Sequence, residues 1–253
     1  MNAVLDRILT TESVSDGSTT LPLRHPDFPA LAVHVDAAEG KLLGDIIKTI
    51  RPATTIEIGM AYGVSTLYIC DALAGLGQPA QHIAIDPFQS TQWRAIGLRN
   101  VREAGYERTI EFHEDRSELV LPRLVEQGRR VDFALIDGWH TFDQVLLEFY
   151  YIDRMLRPGG VVVFDDADRR SVNRAVRYAM NYPNYEVYPT GGGRTRSSWR
   201  GRARRALVRM RGADRLFRKD LLQRDWDLGI LGSCVALRKT GENPRSSGWY
   251  RDF

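Results

Sequence analysis

Thr55-Ile56-Glu57-Ile58-Gly59-Met60-Ala61-Tyr62-Gly63-Val64-Ser65-Thr66 reads as a strand, a tight turn and the start of a helix. Gly59 and Gly63 let the backbone turn sharply and let a ligand approach it closely. In an open parallel sheet, ligands bind beyond the carboxyl ends of the strands, which is where such a turn sits. A dinucleotide site calls for Gly-x-Gly-x-x-Gly with pyrophosphate at the helix start. Here Ala61 and Val64 hold the second and third glycine positions. Glu57, just before the turn, would face a pyrophosphate badly but suits a cationic ligand. A strand, turn and helix with no ligand is the structural alternative.

Working outward, strands and helices alternate. Strand-like runs at 54–58, 82–86, 109–113, 131–137 and 160–165 are short and rich in Val, Ile, Phe or Ala. Helical patterns follow them at 64–74, 91–104, 117–127, 142–155 and 172–180. A further helix precedes the first strand at 36–50, with apolar residues at helical spacing. This alternation predicts an α/β fold, a parallel sheet with crossover helices on both faces. Two last strand candidates, 184–188 and 231–239, flank an arginine-rich segment. Residues 1–35 are expected to form an arm or lid with little regular structure. Residues 36–253 are then one domain, with a basic insertion at about 190–229.

The charge is segregated. Residues 194–224 hold twelve Lys or Arg and two acids, a net of +10, against −7 in the rest of the chain. Leu, Met and Phe recur among the arginines, so the segment suits a lid, a helix on an anionic membrane surface or, less well, a contact with nucleic acid. No run approaches the roughly 18 apolar residues needed to span a bilayer, and Met1–Leu9 has no leader pattern, so the expected compartment is cytoplasmic. Cys70 and Cys234 make neither a disulfide framework nor a zinc cluster and read as small buried hydrophobes.

Three carboxylates stand at strand ends. Asp137 closes the fourth run, and Asp165 and Asp166 close the fifth. Clustered carboxylates repel one another, and a divalent cation relieves the repulsion; hard oxygen donors suit Mg²⁺. Solvated strand-end carboxylates are the alternative. His140 follows Asp137, and Thr141-x-x-Gln144 reads as a capping box opening the next helix. At the positive end of that helix a neutral imidazole would accept a hydroxyl proton. A surface histidine beside a cap is the competing reading. Asp86 ends the second strand a little over twenty residues beyond Gly63, where an acid bonds ribose hydroxyls. Asp115 or Ser117 is placed to read an adenine edge, unless Ser117 merely caps its helix.

Glu-x-Gly-x-x-x-Gly-x-Ser-Thr-Leu from Glu57, Ile-Asp-Pro at Asp86, Leu-Ile-Asp-Gly-x-His-Thr-Phe at Asp137, Leu-Arg-Pro-Gly-Gly and Phe-Asp-Asp together resemble a bacterial class I O-methyltransferase. The group most similar acts on sugar hydroxyls of antibiotics and glycans and is itself similar to catechol-type methyltransferases. The resemblance implies a Rossmann-like, doubly wound, seven-stranded sheet of order 3-2-1-4-5-7-6 with one antiparallel strand. It implies S-adenosylmethionine in a cradle formed by Glu57, Gly59, Ala61, Tyr62, Gly63 and Ser65, its ammonium and sulfonium agreeing with Glu57. It implies metal ligation by Asp137, Asp165 and Asp166, catalysis through His140 and Asp137, and a small-molecule or glycan acceptor. The pair here is Asp-Asp where the family often has Glu-Asp or Asp-Asn. The tail from Asn243 resembles tails that close over the site or over a neighbouring subunit of a homo-oligomer.

Overall fold

The computed structural model describes residues 1–24, 34–189, 225, 233–246 and 249. Its centre is a sheet of strands β3 (Thr54–Ile58), β4 (Gln81–Ile85), β5 (Ile110–His113), β6 (Val131–Ile136), β7 (Leu156–Phe164), β8 (Tyr185–Val187) and β9 (Val235–Lys239). The spatial order is β5-β4-β3-β6-β7-β9-β8, with β9 antiparallel to both neighbours. Counted in chain order within this sheet, that is 3-2-1-4-5-7-6, as expected. The order reverses between β3 and β6, so a crevice opens at their carboxyl ends.

Helices cover both faces. On one side α5 (Ser117–Glu126), α6 (Phe142–Met155) and α7 (Arg170–Ala179) pack Leu121, Phe149 and Val176 on Ile56, Ile83, Ile136 and Phe164. On the other, α2 (Ala37–Ile50), α3 (Val64–Ala74) and α4 (Ile96–Glu103) pack Leu43, Ile47, Leu67 and Ile96 on Phe133, Leu135 and Val163. Adjacent strand residues face opposite sides, so two apolar cores form from one set of strands. Asp36 and Glu39 close a capping box at the start of α2.

Residues 1–24 hold more regular structure than the arm or lid expected there. Helix α1 (Ala3–Thr11) is capped by Asn2 and buries Leu5 and Ile8. A hairpin follows, β1 (Ser13–Ser15) with β2 (Thr20–Pro22). Its turn is held by Asp16, whose carboxylate accepts from the amides of Ser18 and Thr19. The turn-forming residues make a tight hairpin because Val14 is buried and gives the strand one apolar side.

Four boundaries moved by more than one residue. Helix α4 begins at Ile96 rather than 91, because Arg94 and Ala95 turn through the left-handed region. Strand β7 begins earlier, at Leu156, opposite an irregularity in β6 between Val131 and Phe133. Helix α7 begins at Arg170, two residues before its expected start. Strand β9 begins at Val235; of the expected run, 231–232 lies outside the described residues, as do the arginine-rich segment 194–224 and most of the tail. Both cysteines are free and buried. No helix of the described residues is long and apolar enough to cross a membrane.

Candidate active site

The turn after β3 forms as the glycines required. Gly59 and Gly63 have φ of 91° and 80°, and Ala61 joins them in the left-handed region at 46°. A Cβ on Gly59 would lie 2.0 Å from the Asp137 carbonyl oxygen, so the turn presses directly against the end of β6. Asp86 holds the turn in place. Its Oδ2 accepts from the amides of Met60 at 3.1 Å and Ala61 at 2.7 Å, and its Oδ1 accepts from the Phe88 amide at 2.8 Å. Gln89 closes the loop from the far side, donating to the Ala61 carbonyl at 2.6 Å.

Several residues expected to touch a ligand serve the turn from beneath. Glu57 is fully buried. It accepts from the Ser65 hydroxyl at 3.0 Å and from Thr66, and His82 Nε2 stands 3.1 Å away. Glu57 and Ser65 therefore satisfy each other and tie β3 to α3. A strand residue whose neighbours Ile56 and Ile58 pack under α6 must itself point the other way, into α3. Tyr62 is also buried, its ring edge-on to Trp93 at 5.2 Å. Asp86 is 3% exposed, with its oxygens turned to the backbone rather than to open space; burial raises its pKa from the ordinary value of an aspartate.

At the other candidate edge, Asp115 turns outward to Arg123, whose guanidinium holds it below the usual carboxylate range. Ser117 does not cap α5; Arg116 occupies that position. Its hydroxyl instead donates to Glu148 at 2.8 Å and accepts from Gln144 Nε2 at 2.7 Å. The expected Thr141–Gln144 capping box is likewise absent, because Gln144 is drawn to this buried group.

Asp137, Asp165 and Asp166 do converge, in a different pattern from the one expected. Asp137, His140 and Asp166 bring one donor atom each to within 4.8 Å of one another. His140 Nε2 lies 3.3 Å from Asp166 Oδ2 and 3.9 Å from Asp137 Oδ1. Asp165 belongs to a second group, with Glu39 and Cys234. Its Oδ1 accepts from Cys234 Sγ at 3.1 Å and from the Asp166 amide at 2.8 Å. Consecutive residues at a strand end point apart, so the trio of Asp137, Asp165 and Asp166 is closed by His140 instead of Asp165.

The electrostatics follow. Burial, with Asp165 and Asp166 adding their charge, pushes Asp137 well above the carboxylate range. Burial and then Glu39 push Asp165 up to about 6. Burial lowers His140, and Arg169 adds to this against the pull of Asp166. His140 and Asp166 both adopt left-handed backbone, at φ of 53° and 52°. Such strain in non-glycine residues clusters at functional sites. The Ser171 hydroxyl fixes the His140 carbonyl.

Sequence reasoning missed Glu39, Glu148 and Trp139. Glu148 sits on the buried stripe with Val145, Phe149 and Ile152, a charge on an apolar face that the spacing could have exposed. Trp139 is 65% exposed between Gly138 and His140, with Phe88 at 6.1 Å, and flanks the crevice. Glu39 carried the signal of a capping box, Asp-x-x-Glu, but nothing local told of Ser233 across the fold.

Residues 56–167 match a family model described as a methyltransferase domain. A flavonoid 3',5'-methyltransferase of Vitis vinifera is 29% identical over 150 residues, 56% of this chain and 58% of that protein. A rhamnosyl O-methyltransferase of Mycobacterium leprae is 27% identical over 131 residues, 49% of this chain and 52% of that one. The chain thus spans little more than half the length of these relatives. In fold it is similar to an O-methyltransferase from Bacillus cereus in complex with SAH, with TM-score 0.59 and 16% identity over 74% of this chain and 83% of that one. It is similarly close to TomG of Streptomyces achromogenes, a tomaymycin-synthesis O-methyltransferase in complex with SAM, with TM-score 0.59 and 21% identity over 74% and 82%.

Proposed function

We propose that this chain, whose residues 56–167 form a class I methyltransferase domain, transfers the methyl group of S-adenosylmethionine to a hydroxyl of a small molecule or glycan. One observation carries the proposal: the glycine turn that would cradle the cofactor abuts the end of β6, which bears Asp137 and His140. The names of the relatives, which specify flavonoid, rhamnosyl and caffeoyl-CoA methylation, support a hydroxyl acceptor. A binder without turnover would need neither the acids nor the histidine.

The donor set suits a divalent cation. Asp137 and Asp166 offer hard oxygens and would hold it, with Asp165 joining only by leaving Cys234. With an imidazole beside two carboxylates, Mn²⁺ fits as well as Mg²⁺. Bound there, the cation would lower the pKa of a hydroxyl placed against it. The protein supplies the rest. Burial favours neutral His140, which can take the hydroxyl proton. Nε2 faces Asp166, so Nδ1 is the nitrogen left to accept. S-adenosylmethionine, when bound, would supply the methyl group to that oxygen and depart as the neutral thioether S-adenosylhomocysteine, with the protein acting mainly by positioning the two reactants.

The basic segment 194–224, outside the described residues, is assigned by its composition to a lid or to an anionic surface. The test of the whole proposal is calorimetric titration with S-adenosylmethionine, with and without Mg²⁺, followed by a hydroxyl acceptor screen. Binding is expected, and turnover should fall with a chelator and by roughly 10²–10⁴ in His140→Ala. Binding of NAD in place of S-adenosylmethionine would refute it.

A further inference from the structure

Asp166 Oδ2 is claimed twice. His140 Nε2 stands 3.3 Å from it, and Arg169 Nη2 stands 2.9 Å from the same atom. The chain between the two residues brings the guanidinium there. Asp166 turns through the left-handed region at φ of 52°, and the Arg169 amide donates to the Asp166 carbonyl at 2.9 Å. Arg169 then takes the N-cap position of α7, where its carbonyl accepts from the Asn173 amide at 2.8 Å. Its side chain makes no cap bond and folds back over the acid instead. The backbone is thus pinned on both sides, while the side chain stays 43% exposed and has solvent to swing into.

The oxygen that Arg169 holds is the one a cation at this edge would need. Asp137, His140 and Asp166 each bring a donor atom to within 4.8 Å of the others, and Oδ2 is the Asp166 oxygen that faces His140. A dication and a guanidinium on one carboxylate oxygen repel each other, and the repulsion grows as the surroundings become less polar. Asp137 and Asp166 are both partly buried, so water screens that repulsion incompletely. A guanidinium keeps its charge in proteins, so the conflict is relieved by movement and not by loss of a proton.

We propose that Arg169 is a built-in counter-ion of the acid edge that competes with a divalent cation for Asp166 Oδ2, a role that rests on the acid edge being a cation site. Arg169 is a positioning residue in this role. It holds Asp166 in place beside His140 when no cation is held, and it makes the cation bind less tightly than the ligands alone would allow. The coupling is reciprocal: a cation at Asp166 drives the guanidinium off, and whatever draws the guanidinium off tightens the cation. The Ser171 hydroxyl ties the first turn of α7 to the His140 carbonyl, so the side chain can leave without carrying the helix away from the site.

The experiment titrates the chelator-treated chain with Mn²⁺ alone and reads the paramagnetic resonance of the unbound ion, so neither S-adenosylmethionine nor an acceptor is needed. Arg169→Gln removes the charge and should bind Mn²⁺ at least about fivefold more tightly than the wild type, the lower end of ordinary coupling between two ligands. Arg169→Lys keeps the charge and should stay nearer the wild type. Arg170→Gln, at the exposed next residue, measures the general effect of one lost positive charge. The gain in Arg169→Gln should exceed it and persist in about 1 M KCl, where the Debye length is about 3 Å. Equal gains in the two glutamine variants, or a gain that vanishes at that salt, overturn the proposal. So does unchanged affinity in Arg169→Gln shown by circular dichroism to be folded. If neither the wild type nor Arg169→Gln takes up Mn²⁺ at millimolar concentration, the cation reading of the acid edge has failed and the proposal falls with it, a result distinct from binding that ignores Arg169.

Discussion

Gly59 shows how much one missing side chain decides. Its φ of 91° and the 2.0 Å approach of a would-be Cβ to the Asp137 carbonyl leave no room for alanine. Gly59→Ala is expected to abolish S-adenosylmethionine binding in calorimetry and to cost roughly 1–3 kcal/mol of stability from backbone strain alone. Glu148 acts through charge rather than space. Its carboxyl is held up to about 7 by burial, above its ordinary value of 4.5. The fold therefore favours the protonated form. Stability contributed in this way is intact below about pH 4.5, declines as pH rises and is lost above about 7, a span worth about 3 kcal/mol. Asp165, pushed up to about 6, acts in the same direction. Thermal unfolding of the wild type should therefore drop by several degrees between pH 5 and pH 8, and Glu148→Gln should drop by less. Equal slopes would show that the carboxyl is not held protonated.

At the scale of elements, α1 is part of the domain's core rather than an appendage. Leu5 and Ile8 are buried with Leu43, Leu67 and Ile96, and Asn2 Nδ2 reaches the Ala104 carbonyl at 3.1 Å beyond the end of α4. Leu5→Ala is expected to cost roughly 2–5 kcal/mol in urea unfolding, the range for emptying a fully buried leucine site. A change within a few tenths of a kcal/mol would mean that the helix is only loosely docked. Helix α2 has a second task. Glu39 caps its first turn through the Asp36 amide and also receives the Ser233 hydroxyl, joining the start of α2 to the start of β9 beside Asp165. The acid edge is thereby braced from an element that carries none of its expected ligands.

At the scale of the molecule, charge is the open variable. A net of +10 in residues 194–224 against −7 elsewhere concentrates attraction for anionic surfaces in one segment. Near an anionic membrane each Lys or Arg is worth roughly 1 kcal/mol. The chain is expected to sediment with vesicles containing phosphatidylserine and to be released at high salt, where such charges are screened. Deleting 194–224 should remove this binding and leave cofactor affinity in place, since the turn at Gly59–Gly63 lies elsewhere in the chain. If deletion instead destroys turnover on free acceptors while vesicle binding was never present, the segment is a lid. The end of the described chain is tied down on the body. Arg245 stacks over Tyr182 at 3.2 Å and approaches Asp153 at 3.8 Å, and buried Lys239 donates to the Leu156 carbonyl at 2.9 Å.

The sequence by itself determined the sheet, its helices and the turn after β3. Periods of 2.0 and 3.6 and glycines at a strand end are local properties, legible in a dozen residues at a time. Through the family resemblance it also determined the order of the strands. It placed Asp137, His140, Asp165 and Asp166 near one another because all four stand at the ends of neighbouring strands. Tertiary structure alone decided which way each side chain turned. Asp165 went to Cys234, 69 residues away, and Ser117 to Glu148, 31 away. Glu39 met Ser233 across 194 residues. Partners so distant in the chain leave no periodic trace. A buried carboxylate takes whichever donors the packed fold brings to it: Glu57 is tied to Ser65 and Thr66, and Asp86 to the amides of the turn after β3.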